Sequence, residues 1–246
     1  MSDTLDPLSR SGATVSLADE KNVQDIIQST ILGLWEVVNN LTRLRPSRHD
    51  NYRVTIFGSS RVQPDSELYN QVRRLARDLA DLNCDIITGG GPGLMQAANE
   101  GAADVRAAHN VRSIGIRVDL PFEQGVNPFV ESAFSHRTFF TRLHHFVMLS
   151  DAFVVVPGGI GTVLETTMIW QLLQVRHLYQ MPLILVGPMW PEFVDWARRH
   201  MLAPRPPLAN PEDMLIPRCV ATTDEALALI KEYQARWRGS EDGADS

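Results

Sequence analysis

The chain has 246 residues, 44% of them apolar, which is enough to fill one sizeable core near the upper limit of a single domain. A formal net charge of -6 excludes a chain built to live on nucleic-acid phosphates, because that affinity needs a clustered positive surface. No apolar segment follows a basic start and no eighteen consecutive apolar residues occur, so the expectation is a cytoplasmic protein that neither is secreted nor spans a membrane.

Residues 1–18 are polar and without periodicity and are expected to be a disordered tail, as are residues 239–246. From Asn22 to Leu44, the residues Ile27, Ile31, Leu34, Val38 and Leu41 recur at spacings of four and three. Widened by Trp35, they paint an apolar stripe along a helix. This helix and an arginine-rich linker (Arg43, Arg45, Arg48) take up residues 19–50. The stripe needs cover, from the chain's own domain or from a second copy. From residue 51 to 238, short β-rich runs alternate with helical patterns, the signature of parallel βαβ units. Strands are predicted at Val54–Phe57, Asp85–Thr88, Ser113–Arg117, Phe153–Val156 and Leu183–Val186, with a weaker one at Arg218–Ala221. Helices are predicted over residues 68–82, 93–109, 138–149, 162–176, 191–201 and 224–236. Strands such as Phe153–Val156 are apolar throughout, as a sheet covered on both faces requires. The expected fold is therefore α/β, a Rossmann-like parallel sheet with helices on both faces plus an N-terminal helical extension. Cys84 and Cys219 stand beside apolar strand-like residues and are expected to be buried thiols, not a disulfide.

In such a sheet ligands bind outside the carboxyl ends of the strands, so the turns leaving them carry the chemistry. Three of these turns are glycine-rich: Gly58-Ser59-Ser60-Arg61, Gly89-Gly90-Gly91-Pro92-Gly93 and Pro157-Gly158-Gly159-Ile160-Gly161-Thr162. Glycine lets backbone approach a ligand, and a following helix start offers free N–H groups at the positive end of its dipole. One such turn could be no more than a tight corner, but three at one sheet edge describe an anion cradle. No turn fits G-x-G-x-x-G with an acidic residue about twenty positions on, so a nicotinamide dinucleotide is not favoured. The chain's two lysines, Lys21 and Lys231, stand near its ends. A pyridoxal enzyme and a Walker-type phosphate loop each need a central lysine, so both are excluded. No cofactor is expected.

Gly89-Gly-Gly-Pro-Gly-Leu-Met95 followed by Ala97-Ala-Asn-Glu-Gly101, and Pro157-Gly-Gly-Ile-Gly-Thr-Val-Leu-Glu165, resemble the two hallmark motifs of the LOG (Lonely Guy) family, often mislabelled lysine decarboxylase. Leu120-Pro-Phe-Glu-Gln124, Asn127-Pro-Phe129 and Phe139-Phe-Thr-Arg142 further resemble its longer bacterial branch. The resemblance implies a homo-oligomer, at least a dimer, that hydrolyses nucleoside 5′-monophosphates such as AMP to free base and ribose 5-phosphate. In cytokinin-activating members the base carries an N6-isoprenoid group. It also implies catalytic roles for Arg142 and Glu165. The nucleotide and its phosphate would lie against Gly58, Ser59, Gly90, Gly91, Gly93, Met95, Gly158, Gly159, Gly161 and Thr162, with Arg137 as a second phosphate ligand. A carboxylate beneath the sugar suits a cation-like ribosyl transition state, and Arg142 would hold an anionic part of the ligand or steady the glutamate.

Each assignment has a plainer alternative. Thr162-Val-Leu-Glu165 is also a capping box, in which threonine and glutamate satisfy a helix start. Arg137 could be a solvated charge. His136, His144 and His145 lie close in sequence but lack an acidic or cysteine partner, so no metal is expected and they read as surface or interface histidines. The sequence departs from the family pattern at Leu143, where most relatives carry lysine, and at Leu164, where many carry an acid. The rival function is a non-catalytic binder of a nucleotide or of the molybdenum cofactor, whose carriers share the Pro-Gly-Gly-x-Gly-Thr turn.

Overall fold

The computed structural model describes residues 20–41, 50–118, 125–178 and 181–242. The chain divides into two units between Pro46 and Ser47. The first holds α1 (Glu20–Leu41), on which Ile26, Ile27, Ile31 and Leu32 are exposed. The expected tail at residues 1–18 and the arginine-rich linker fall outside the described residues.

The second unit runs β1 (Tyr52–Phe57), α2 (Glu67–Asp81), β2 (Cys84–Thr88), α3 (Leu94–Val105), β3 (Ser113–Val118), β4 (Ser132–His136) and α4 (Phe139–Leu149). It continues through β5 (Ala152–Val155), α5 (Ile160–Gln174), β6 (Leu183–Val186), α6 (Met189–Leu202), a 3-10 helix (Pro211–Leu215), β7 (Pro217–Val220) and α7 (Thr223–Asp242). The seven strands are parallel in the order β4-β3-β2-β1-β5-β6-β7. The chain thus works outward from β1 to β4, then returns to the other side of β1 to start β5. That reversal makes β1 and β5 the switch point, where an open parallel sheet parts its loops into a crevice.

Alternate side chains of a strand serve opposite faces, and the two cores follow that rule. Val54 and Ile56 of β1 with Ala152 and Val154 of β5 pack beneath α2, α3 and α7. Phe57, Phe153 and Val155 face α4, α5 and α6. The helices α2 and α3 cross closely at Gly101, where a Cβ would run into the backbone of Arg73 and Arg77. Gly101→Ala should therefore cost about 2 kcal/mol by overpacking. The check is a lower urea midpoint with an unchanged slope.

Several elements differ from the sequence reading. β4 was not anticipated, because Ser132-Ala-Phe-Ser-His136 is an exposed edge strand without an apolar run. The 3-10 helix was missed too, although Asn210 and Asp213 form its capping box. α3 stops at Val105 instead of 109, and α7 continues to Asp242, past the expected domain end at 238. Cys84 is buried as expected, but Cys219 is exposed, because β7 is the other edge of the sheet. Residues 120–124 lie outside the described residues. Among the described residues no helix is long and apolar enough to cross a membrane.

Candidate functional site

The three glycine-rich turns leave β1, β2 and β5, neighbours at the switch point, and hydrogen bonds lace them together. Ser59 N–H donates to Pro157 O (3.1 Å), joining the first turn to the third. Leu94 N–H donates to Ser59 O (2.8 Å), joining the second to the first. Glycine is required where these turns touch. Gly93 starts α3 at φ +69°, and a Cβ there would strike the backbone of Ser59 and Ser60. At Gly58 it would meet Val156 and Leu94, and at Gly158 the Thr162 side chain.

A buried polar network holds the β2 turn, and sequence reasoning gave it no role. Thr88 Oγ1 donates to Asn99 Oδ1 (2.6 Å) and accepts from Gly90 N–H (2.9 Å). Asn99 Nδ2 donates to Ser113 Oγ (2.9 Å). Asn127 Nδ2 reaches both Asn99 Oδ1 and Gly91 O (3.0 Å each), and Asn127 N–H donates to Gly90 O (2.8 Å). The signal was Asn99, a polar residue among the alanines of an otherwise buried helix face. Gly90, at φ +72°, is fixed against Gly115 by these bonds.

Arg142 and Glu165, twenty-three residues apart in sequence, meet over this floor. Arg142 Nη1 donates to Glu165 Oε1 at 2.9 Å, and Arg142 Nε donates to Ile116 O at 2.9 Å. The guanidinium also lies 5.1 Å from the Phe146 ring centroid. It sits so close above Gly89 that a Cβ there would collide with it and with the Met95 sulfur. The side chains are only 12% and 10% exposed. Burial pushes the Glu165 carboxyl up from 4.5 to about 7, although Arg142 pulls in the opposite direction. The acid is thus poised near neutrality.

The start of α5 decides between capping and chemistry for Glu165. Its N-cap is Gly159, with no side-chain cap, and Thr162 is the third helical residue. The capping-box alternative therefore does not hold. The first helical bond is Val163 N–H to Gly159 O (3.0 Å), which leaves the N–H groups of Ile160, Gly161 and Thr162 without a partner among the described residues. Nothing lies within 4 Å of a Cβ built at Gly159 or Gly161, so the helix start is open to an anion one turn from Glu165.

Other expected residues stand apart. Arg137 is exposed, between β4 and the α4 N-cap Thr138, and forms no hydrogen bond or ion pair among the described residues. His136 Nε2 and His145 Nδ1 are 2.9 Å apart, and burial with the neighbouring His136 pulls His145 down to about 4. Among the described residues no group of three or more ligating side chains could hold a metal. Leu143 is buried and Leu164 exposed, so the two departures from the family pattern point into different environments.

Fold, switch point and linked turns define a Rossmann-like α/β protein. Within that class the chain belongs to the family described as "Possible lysine decarboxylase", whose model matches residues 95–230, the family to which the LOG motifs point. It is 28% identical over 183 residues to the pyrimidine/purine nucleotide 5′-monophosphate nucleosidase of Escherichia coli K12. That match covers 72% of this chain but 39% of the relative, so the chain spans well under half the length of the curated relatives it matches. Among solved structures it is similar to the molybdenum cofactor carrier protein of Chlamydomonas reinhardtii. The TM-score is 0.54 at 18% identity, covering 75% of this chain and 99% of that one. The molybdenum cofactor binding protein of Rippkaea orientalis gives 0.55 at 18%, covering 76% and 98%.

Proposed function

We propose that the chain is a nucleoside 5′-monophosphate phosphoribohydrolase, splitting AMP or a related nucleotide into free base and ribose 5-phosphate. The observation that carries this reading is the buried Arg142–Glu165 pair one helical turn from the uncapped start of α5. The phosphate takes the free N–H groups of Ile160, Gly161 and Thr162, with the Gly58–Ser59 and Gly90–Gly93 turns walling the crevice. This places the ribose toward Glu165. As the C1′–N bond breaks, the ionised carboxylate stabilises the positive charge growing on the sugar and takes a proton from the attacking water. The hydroxyl goes to C1′ and the proton leaves with the base. Arg142 holds Glu165 in place through Nη1 while its Nε is anchored on Ile116 O. The similarity to the E. coli nucleotide 5′-monophosphate nucleosidase supports a nucleotide substrate.

The decarboxylase in the family's description does not fit the residues, because the glycine turns lie in a stretch without lysine and no Schiff base can form there. A non-catalytic carrier is the second reading, favoured by the fold of the two cofactor-binding neighbours and by a helix start that accepts any phosphate ester. Incubation with AMP and other nucleoside monophosphates separates the two. Release of base supports the hydrolase, whereas tight nucleotide binding with no base released from any of them supports the carrier.

The reading includes a homo-oligomer. Phe139 and Phe140 at the start of α4, with Ile160 and Leu164 at the start of α5, are exposed, and Phe140 is 79% so. Such a set beside the crevice is best covered by a second copy. Phe140→Asp should raise the monomer fraction about tenfold or more, read by sedimentation at micromolar concentration. Unchanged sedimentation would remove this face from the interface.

A further inference from the structure

A cavity of about 440 Å³ lies at the edge strand β7, two strands from β5, and four consecutive residues of β7, Pro217 to Val220, line it. Successive strand residues point to opposite faces, so a cavity touched by all four faces the strand's edge. β7 is the outermost strand, paired with β6 alone. Val194 of α6 closes the cavity from one side of the sheet and Leu229 of α7 from the other. Those helices belong to the two opposite cores, so the groove wraps around the free edge.

The edge offers backbone bonds. Val220 O accepts from Gly187 N–H at 2.9 Å, which turns Val220 toward β6. Alternation then turns the Cys219 N–H and C=O and the Pro217 C=O outward, where no hydrogen bond reaches them among the described residues. Natural edges are usually blunted by lysine, by proline, by short length or by a covering segment, and β7 is short, four residues beginning with Pro217. The edge lies in the groove between α6 and α7, which Met214 also lines. A second copy's β7 carries the same flanking helices, which hinder edge-to-edge pairing and leave room for a single strand. Charge narrows the choice further. Arg198 is paired with Asp195, whereas Arg218 has no partner among the described residues.

We propose that this groove binds an extended peptide segment of a partner protein, added as an eighth strand beside β7, with apolar side chains in the groove and a carboxylate on Arg218. Main-chain bonds supply affinity and alternate side chains supply specificity, as in strand addition generally.

The test screens immobilised random hexapeptides against the full chain, then follows backbone amide exchange. Selected peptides should alternate apolar residues and carry Asp or Glu. They should slow Cys219 amide exchange by about tenfold or more, and N-methylation of alternate peptide amides should weaken them by a similar factor. Arg218→Glu should exchange the acidic preference for a basic one, and Cys219→Trp should abolish selection by filling the groove. Four results would overturn the proposal. One is a Cys219 amide already protected in the free chain, which makes a segment of the chain itself the occupant. The second is no peptide enriched over the Cys219→Trp variant. The third is N-methylated peptides that bind undiminished, which makes the groove a small-anion pocket. The fourth is an acidic preference that survives in Arg218→Glu.

Discussion

Glu165→Gln should lower base release from AMP by about a hundredfold or more, while AMP binds almost as before. Glutamine keeps the size of glutamate and can still accept from Arg142 Nη1, so the geometry of the 2.9 Å contact survives and only the negative charge is lost. A charge that faces a ribosyl cation contributes chiefly in the transition state, so the loss appears in turnover and leaves ground-state affinity alone. The measurement is single-turnover base release beside nucleotide affinity by calorimetry. The pH profile of the parent gives an independent check. With the carboxyl at about 7, kcat/KM should rise roughly tenfold per pH unit below that point and level off above it, since the ionised form does the work. Parental rates in Glu165→Gln would sink the catalytic assignment. A parent that releases no base at all would sink the hydrolase reading and leave the carrier.

What was legible in the sequence follows from how locally each feature is encoded. β1, β2, β3, β5 and β6 are apolar runs bounded by turns, and the structure moves their ends by two residues at most. The Arg142–Glu165 partnership was legible only through the family motifs, because no periodicity links residues twenty-three apart. Two kinds of feature escaped. β4 pairs with β3 by backbone bonds alone, so Ser132-Ala-Phe-Ser-His136 carries no burial signal. Cys219 illustrates the converse. Its apolar neighbours suggested a core strand, but an edge strand leaves it exposed. The role of Glu165 was ambiguous for a third reason. Threonine three places before glutamate is a capping pattern, but Gly159 takes the cap and starts the helix three residues earlier. Whether a helix begins at a glycine or at a threonine depends on the turn before it. Here that turn is fixed by Ser59 N–H on Pro157 O, a bond from nearly one hundred residues away in sequence.

Glu165→Gln should also make the protein more stable at neutral pH, an effect opposite in sign to its effect on catalysis. The folded chain holds the Glu165 proton to about 7, whereas the unfolded chain releases it near 4.5. Between those values the native state binds more protons, so stability falls as pH rises through that window and levels off above 7. Holding that proton from 4.5 up to about 7 corresponds to about 3 kcal/mol. Glutamine imitates the protonated acid and carries no such cost. Parent and variant should therefore be equally stable below about pH 4.5. They should diverge as pH rises, until the variant leads by about 3 kcal/mol above pH 7, or roughly 6–12 °C in Tm for a domain of this size. Only the difference between the two curves is read, which cancels every other titrating group. The opposite outcome has a definite meaning. If the Arg142 guanidinium outweighs burial and keeps Glu165 ionised, glutamine strands a buried cation, and the variant should be less stable than the parent at pH 7. Such a result would make the pair a structural ion bridge, and the carboxylate would no longer be poised to change its proton near neutrality.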